Sequence, residues 1–303
     1  MEDAGFTATR ENGAVPFRWG PGSRLGVIGG LGEMGRLFGR FFGGHGYKIA
    51  VADPKNGLSG REVVEESDMV LFAVPLHRTE AIIRELVPCM RPGQLLMDLT
   101  SLKTGPVREM LQSPAFVVGL HPMFGGRVST FSGQTLAACP VRIGREDWAS
   151  LRALFTQSGI RVKETTPEAH DRMMSIIQVL FHMTTMLKGR VLREIGVDIA
   201  ETMEYTSPSY RLEINLLGRM FAQSAELYSA ITQMNPYTGE ILDHLRKGLD
   251  DYGQWVAAGD LQSFAGDFDR SAEHLGEFCA SAYQESSNIL DYTVDLFRGN
   301  GGR

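Results

Sequence analysis

A chain of 303 residues, 43% apolar and 22% charged, is long enough for about two domains and has the balance of an ordinary soluble globular protein. Its formal charge of −6 arises without any long basic run, which argues against a nucleic-acid surface and leaves small anions held by local arginines as the charged ligands to consider. No apolar run reaches the length of a membrane span, and Cys89, Cys139 and Cys279 are too scattered for a zinc or C-x-x-C redox site, so a reducing cytoplasm fits best.

Residues 1–23 are polar and rich in Gly and Pro, lack a signal-peptide core, and read as a flexible lead-in. From Arg24 to about Val162, short apolar runs alternate with helix-length stretches: LGVIGG, KIAVAD, MVLFAVP, QLLMDL, AFVVGL, QTLAACPV and GIRV. That alternation predicts βαβ units and a doubly wound, largely parallel sheet over residues 24–165. The texture then changes. Thr166, Pro167 and Glu168 form a helix start, and Met173, Ile176, Ile177, Leu180, Met183 and Leu187 follow at helical spacing. TSPSYRLEINLLGRMFAQ opens a further helix in the same style, and no convincing strand follows, so residues 166–303 are predicted to be all-helical.

The turn after the first strand reads VIGGLGEMG, with Gly30, Gly32 and Gly35 in G-x-G-x-x-G spacing around Leu31, Glu33 and Met34. Glycines suit a tight turn, the approach of a pyrophosphate to the backbone, and close helix–sheet packing, while the helix start attracts phosphate. The second strand ends in Asp53, placed to hydrogen-bond an adenine-ribose 2′-hydroxyl and to repel a 2′-phosphate, which predicts NAD rather than NADP. Val74 and Pro75, in FAVPLH, and Ser101 and Lys103, in MDLTSLKTGP, end later strands on the same edge of the sheet. His121, in GLHPMFGG, belongs there too, because Pro122 disfavours helical dihedrals at His121 and FVVGL is rich in strand formers. By itself, a histidine among apolar neighbours is more often a hydrogen-bonded core residue than a catalyst. In the helical half, His182 follows Gln178 by four residues, which puts both on one stripe, and Arg211 opens a helix after Ser207 and Pro208.

Taken together and in order, GGLGEMGRLF, VPLHRTE, DLTSLKTGP, GLHPMFG, IQVLFH and SPSYRLE followed by GRMFAQ resemble the prephenate dehydrogenases of aromatic amino-acid biosynthesis. The resemblance implies a Rossmann-type NAD-binding domain followed by an all-helical domain that forms a homodimer, with a dianionic substrate held between the domains. It also implies an oxidative decarboxylation in which His121 takes the proton of the ring hydroxyl and Ser101 orients the His121 ring. Arg211 is then the guanidinium for a substrate carboxylate, with His182, Gln178 and the positive charge of Lys103 on the substrate side. Some family members act instead on 4-amino-4-deoxyprephenate, and the sequence leaves both substrates open. Two other classes compete. A β-hydroxyacid dehydrogenase needs a lysine followed four residues later by asparagine, whereas Lys188 is followed by Leu192. A non-catalytic NAD sensor needs the glycine turn and Asp53 but not His121, Ser101 and Arg211 together. One departure from the family pattern is the stretch GRVSTFSGQ after HPMFG, which puts Arg127 in the loop beyond His121.

Overall fold

Short apolar runs make strands that can be buried on both faces, and each of those read from the sequence forms one in the computed structural model, which describes residues 17–55 and 57–300. In chain order the first unit contains β1 (Arg24–Ile28), α1 (Glu33–Gly44), β2 (Lys48–Ala52), α2 (Gly60–Glu65), β3 (Met69–Phe72), α3 (Leu76–Leu86), β4 (Leu95–Asp98), α4 (Thr104–Met110), β5 (Phe116–Pro122), β6 (Thr135–Arg142), α5 (Arg145–Gln157) and β7 (Arg161–Glu164). They form one seven-stranded sheet in the order β2-β1-β3-β4-β5-β6-β7. All neighbours run parallel except β5 and β6, which pair antiparallel, His121 lying opposite Ala137. The order reverses at β1, with β2 on one side and β3 on the other, and this switch point is where an open α/β sheet leaves a crevice at its carboxyl edge.

Alternate residues of each strand serve different faces, as the period of two requires. Leu25, Val27, Met69, Leu71, Leu95 and Met97 join Phe38 and Phe42 of α1 and Phe155 of α5 on one side. Val70, Phe72 and Leu96 join Val64 of α2, Ile83 of α3 and Met110 of α4 on the other. Both faces are therefore covered, which completes the doubly wound arrangement.

Residues 1–16 of the predicted lead-in lie outside the described residues, and the remainder corrects that expectation. Trp19 is fully buried, stands edge-on to Phe116 at 5.2 Å, and donates its Nε1–H to the Gly93 carbonyl at 2.9 Å. A large apolar ring with a polar edge found both a slot and an acceptor at the sheet, so residues 17–23 belong to the first unit.

The chain divides into two compact units, Met1–Asp171 and Arg172–Arg303, and the boundary falls inside α6 (Pro167–Met174). The second unit continues through α7 (Phe181–Ile195), α8 (Ile199–Glu204), α9 (Pro208–Phe221), α10 (Ala225–Met234), α11 (Thr238–Ala258), α12 (Leu261–Leu275) and α13 (Phe278–Asn300). Ser207 starts α9 as read from the sequence, its hydroxyl accepting from the Tyr210 N–H at 3.2 Å ahead of Pro208. Between α6 and α7, Ser175–Leu180 form a π-helical segment that the helical spacing did not foretell. The predicted apolar stripe is helical but largely uncovered within this unit: Met173, Ile176, Ile177 and Leu187 are all about half exposed. Neither large core cluster includes a residue of this unit.

Candidate functional site

The turn from β1 into α1 needs a backbone that side chains resist, and Gly29 supplies it with φ of +80°, so the tight turn rests on Gly29 rather than on Gly30. A Cβ on Gly35 would stand 2.7 Å from the Gly29 carbonyl oxygen, so only glycine lets α1 start this close to the turn. Gly32 precedes α1 and leaves the first-turn N–H groups of α1 without a capping side chain, the arrangement that favours an anion. Beside this turn lies a cavity of about 670 Å³ lined by Leu31, Gly32, Asp53, Val74, Pro75 and Arg78 among others. Gly30, Glu33, Met34 and Gly35, also expected at the cofactor, adjoin the turn without lining that cavity. Asp53 follows β2, and its carboxylate accepts from the Leu31 N–H at 3.2 Å and the Lys55 N–H at 3.0 Å. Uncapped helix, close-packed glycine and fixed carboxylate together fit a dinucleotide.

The loop with Arg127 rests on the same helix start. Arg127 pairs with Glu33 at 2.8 Å, and a Cβ on Gly126 would stand 2.6 Å from the Cβ of Glu33. The Glu33 side chain therefore faces this loop.

His121 sits one residue before the end of β5 and is almost fully buried. Its Nδ1 stands 2.9 Å from Nε2 of His170, and Nδ1 of His170 stands 2.8 Å from Oδ1 of Asp171. All three residues lie within the first unit. The Asp171 carboxylate also accepts from the N–H groups of Lys103 at 2.7 Å and Thr104 at 2.9 Å, at the start of α4. Burial pushes the Asp171 carboxyl up, but the hydrogen bonds from His170, Thr104 and Lys103 outweigh it and hold the group below its ordinary value. Burial lowers the His121 imidazole well below 6.5, and positive charge on His170 or Lys103 acts in the same direction. Nε2 of His121 carries no hydrogen bond among the described residues.

Two expectations for this neighbourhood change. Ser101 is only half-buried and makes no side-chain hydrogen bond among the described residues; the partner of His121 Nδ1 is His170. Lys103 does not present its charge to a substrate. Its ammonium is wholly buried, donating to the Asp98 carboxylate, to the Leu120 carbonyl at 2.6 Å and to Thr100 Oγ1 at 3.3 Å. In a polar turn it looked available, but its side chain runs inward and joins β4 to the end of β5.

In the helical unit, Gln178 Oε1 and His182 Nδ1 are both buried without a hydrogen-bond partner among the described residues. Burial lowers the His182 imidazole, and the Tyr228 ring stands edge-on to it at 4.7 Å. His182 and Tyr228 line a cavity of about 230 Å³ together with Lys188, Glu213 and Arg219. Lys188 is bonded to Glu213 at 2.7 Å, so Arg219 is the guanidinium at this cavity. Arg211, in the first turn of α9 and half-buried, is not among its lining residues, and neither is Gln178. The sequence reading missed His170, Asp171, Tyr228 and Arg219. His170 and Asp171 stood in view in PEAHD, but read only as part of a helix start.

A doubly wound sheet with a glycine turn, a carboxylate after its second strand and an imidazole at the carboxyl edge is the arrangement of nucleotide-binding oxidoreductases. Residues 46–164 match the family model described as prephenate dehydrogenase, nucleotide-binding domain, and residues 166–270 match prephenate dehydrogenase, dimerization domain. The chain belongs to the prephenate dehydrogenase family. It is 31% identical over 275 residues to the T-protein of Haemophilus influenzae, covering 90% of this chain and 72% of that protein. It is 28% identical over 272 residues to the 4-amino-4-deoxyprephenate dehydrogenase of Streptomyces pristinaespiralis, covering 83% of this chain and 90% of that one. Its fold is similar to that of prephenate dehydrogenase from A. aeolicus, solved in complex with hydroxyphenyl propionate and NAD+. The TM-score is 0.68 at 16% identity, with 83% of this chain and 96% of that chain covered. Among the described residues, no helix is long and apolar enough to cross a membrane.

Proposed function

We propose that the protein oxidises and decarboxylates prephenate to 4-hydroxyphenylpyruvate, using NAD. The observation that carries this reading is His121: an imidazole at the carboxyl edge of the sheet, with one ring nitrogen engaged and the other unbonded. In this role His121 Nε2 takes the proton of the ring hydroxyl as hydride leaves the same carbon. NAD, when bound, supplies the hydride acceptor. Loss of the ring carboxylate as carbon dioxide aromatises the product and makes the reaction one-way. Ser101, with its hydroxyl uncommitted, and Arg211 and His182 on the helical unit are the remaining substrate residues. Arg211 brings a planar fork suited to a carboxylate. Gln178 brings a buried carbonyl oxygen in need of a donor.

A second reading, action on 4-amino-4-deoxyprephenate to give 4-aminophenylpyruvate, is favoured by the match to 90% of the length of the Streptomyces enzyme. Following NADH formation with each substrate in turn separates the two. Turnover of neither would overturn both and leave an NAD-binding protein without this activity.

Asp53 sets the expected cofactor preference. Its carboxylate would hydrogen-bond a 2′-hydroxyl and repel a 2′-phosphate, and Arg61 in the same cavity is already committed to Glu65 at 2.8 Å. The enzyme should use NAD well and NADP poorly, and Asp53→Ser should narrow the gap. Equal kcat/KM for the two cofactors in the unaltered protein would refute this role.

The helical unit should bring two chains together. Its described helices leave Phe181, Ile195, Val256, Leu261, Phe268 and Tyr283 more than half exposed, large apolar side chains of the kind an interface would cover. Sedimentation at micromolar concentration should give twice the mass of one chain; a single-chain mass would contradict it.

A further inference from the structure

We infer that His170 and Asp171 are positioning residues that fix His121 in the tautomer with hydrogen on Nδ1 and supply the counter-charge for the proton it takes. The inference rests on the reading of His121 as the base and names what prepares it. An ionised carboxylate only accepts hydrogen bonds, so the 2.8 Å contact with Asp171 Oδ1 requires hydrogen on Nδ1 of His170. A neutral His170 then has a bare Nε2, which accepts from Nδ1–H of His121 across 2.9 Å. The remaining nitrogen of His121, Nε2, is left with its lone pair free, as a base requires. The hydrogen-bond relay starts at a carboxylate that cannot turn, because the Lys103 and Thr104 N–H groups hold both of its oxygens.

Charge points the same way. The ionisable groups around His121 and its neighbours include Asp98 on β4, Lys103 before α4, Cys139 on β6, and Glu168, His170 and Asp171 on α6. Asp98 and Lys103 cancel as an ion pair. Asp171 is the carboxylate bonded to the second imidazole, so proton uptake by His121 brings positive charge toward a negative group. In the transfer, the substrate O–H bond breaks and the His121 Nε2–H bond forms. The Nδ1 hydrogen of His121 is then free to move onto Nε2 of His170, which places the positive charge next to Asp171. A proton already on His170 would reverse the contact: His170 would donate, His121 would carry hydrogen on Nε2, and the base would be lost.

Nitrogen-15 NMR of the histidine-labelled full-length protein near neutral pH reads the tautomer directly. His121 is expected with hydrogen on Nδ1; hydrogen on Nε2 overturns the inference whatever the enzyme's substrate. In kinetics, His170→Gln keeps an acceptor for Nδ1–H but cannot hold the proton, and should lose about tenfold in kcat, whereas His170→Phe should lose about 10² or more. Both should keep the KM for NAD, and the acidic limb of the pH profile should move in His170→Gln. Unchanged kcat and pH profile in both variants would also overturn it. Failure of the unaltered enzyme on both cyclohexadienes would instead overturn the proposed function and leave the NMR result to decide the tautomer.

Discussion

Replacing His121 by Asn should lower kcat by about 10² to 10⁴ while NAD binds as before, the loss expected when general-base assistance is removed from a transition state. The split between turnover and cofactor affinity follows from position. His121 lies one residue before the end of β5 and does not line the nucleotide cavity, whereas the glycine turn and Asp53 follow β1 and β2, so the substitution leaves that cavity intact. The pH profile carries the same prediction. Only the neutral imidazole accepts a proton, and burial holds His121 well below 6.5, so the base form persists into acid and is lost only as pH falls through that lowered value. The acidic limb of kcat/KM should therefore lie below 6.5. Full turnover in His121→Asn, or an acidic limb above 6.5, would place the base elsewhere.

Lys103→Met should destabilise the first unit by about 3–5 kcal/mol, the cost of leaving a buried carboxylate without its partner. Both members of the pair are completely buried, and one oxygen of Asp98 has no hydrogen bond even with the lysine present. For a domain of this size, the melting midpoint should fall on the order of 10 °C in calorimetry. The double variant Asp98→Leu with Lys103→Met removes both charges and should recover much of the loss. A single variant within about 1 kcal/mol of the parent would show that water reaches the pair. Lys103 also donates to the Leu120 carbonyl beside His121, so any residual activity in the double variant reports how far β5 depends on that contact.

The strands were legible because each is a short apolar run between helix-length segments, a pattern that local sequence alone determines. The glycine spacing was legible too, although the strained φ fell one residue earlier, at Gly29. Side-chain direction was not. Lys103 and Ser101 share one polar turn and look alike in sequence, yet Lys103 is wholly buried and Ser101 only half so, because Asp98 and the Leu120 carbonyl offer the ammonium acceptors in the interior. His170 was missed for a different reason. Its contact with His121 joins residues 49 apart, and it exists because α6 begins beside the end of β5, which no local pattern records. Within the helical unit the periodicity gave helices correctly, but it could not announce a π-helical segment at Ser175–Leu180 or say what covers the apolar stripe.

The uneven placement of the large apolar clusters, both in the sheet unit, also bears on the order in which the protein is made. The sheet unit precedes the helices in the chain, holds both large apolar clusters, and can fold while the helices are still being synthesised. If two chains pair as proposed, the helical unit, with few buried apolar side chains of its own, completes its interior only on meeting a second chain. Its stability would then be a bimolecular quantity that falls with dilution, while that of the sheet unit would not. At low expression the newborn protein would pass through a stage with a finished nucleotide half and an unfinished helical half, the stage most exposed to proteolysis and chaperone capture.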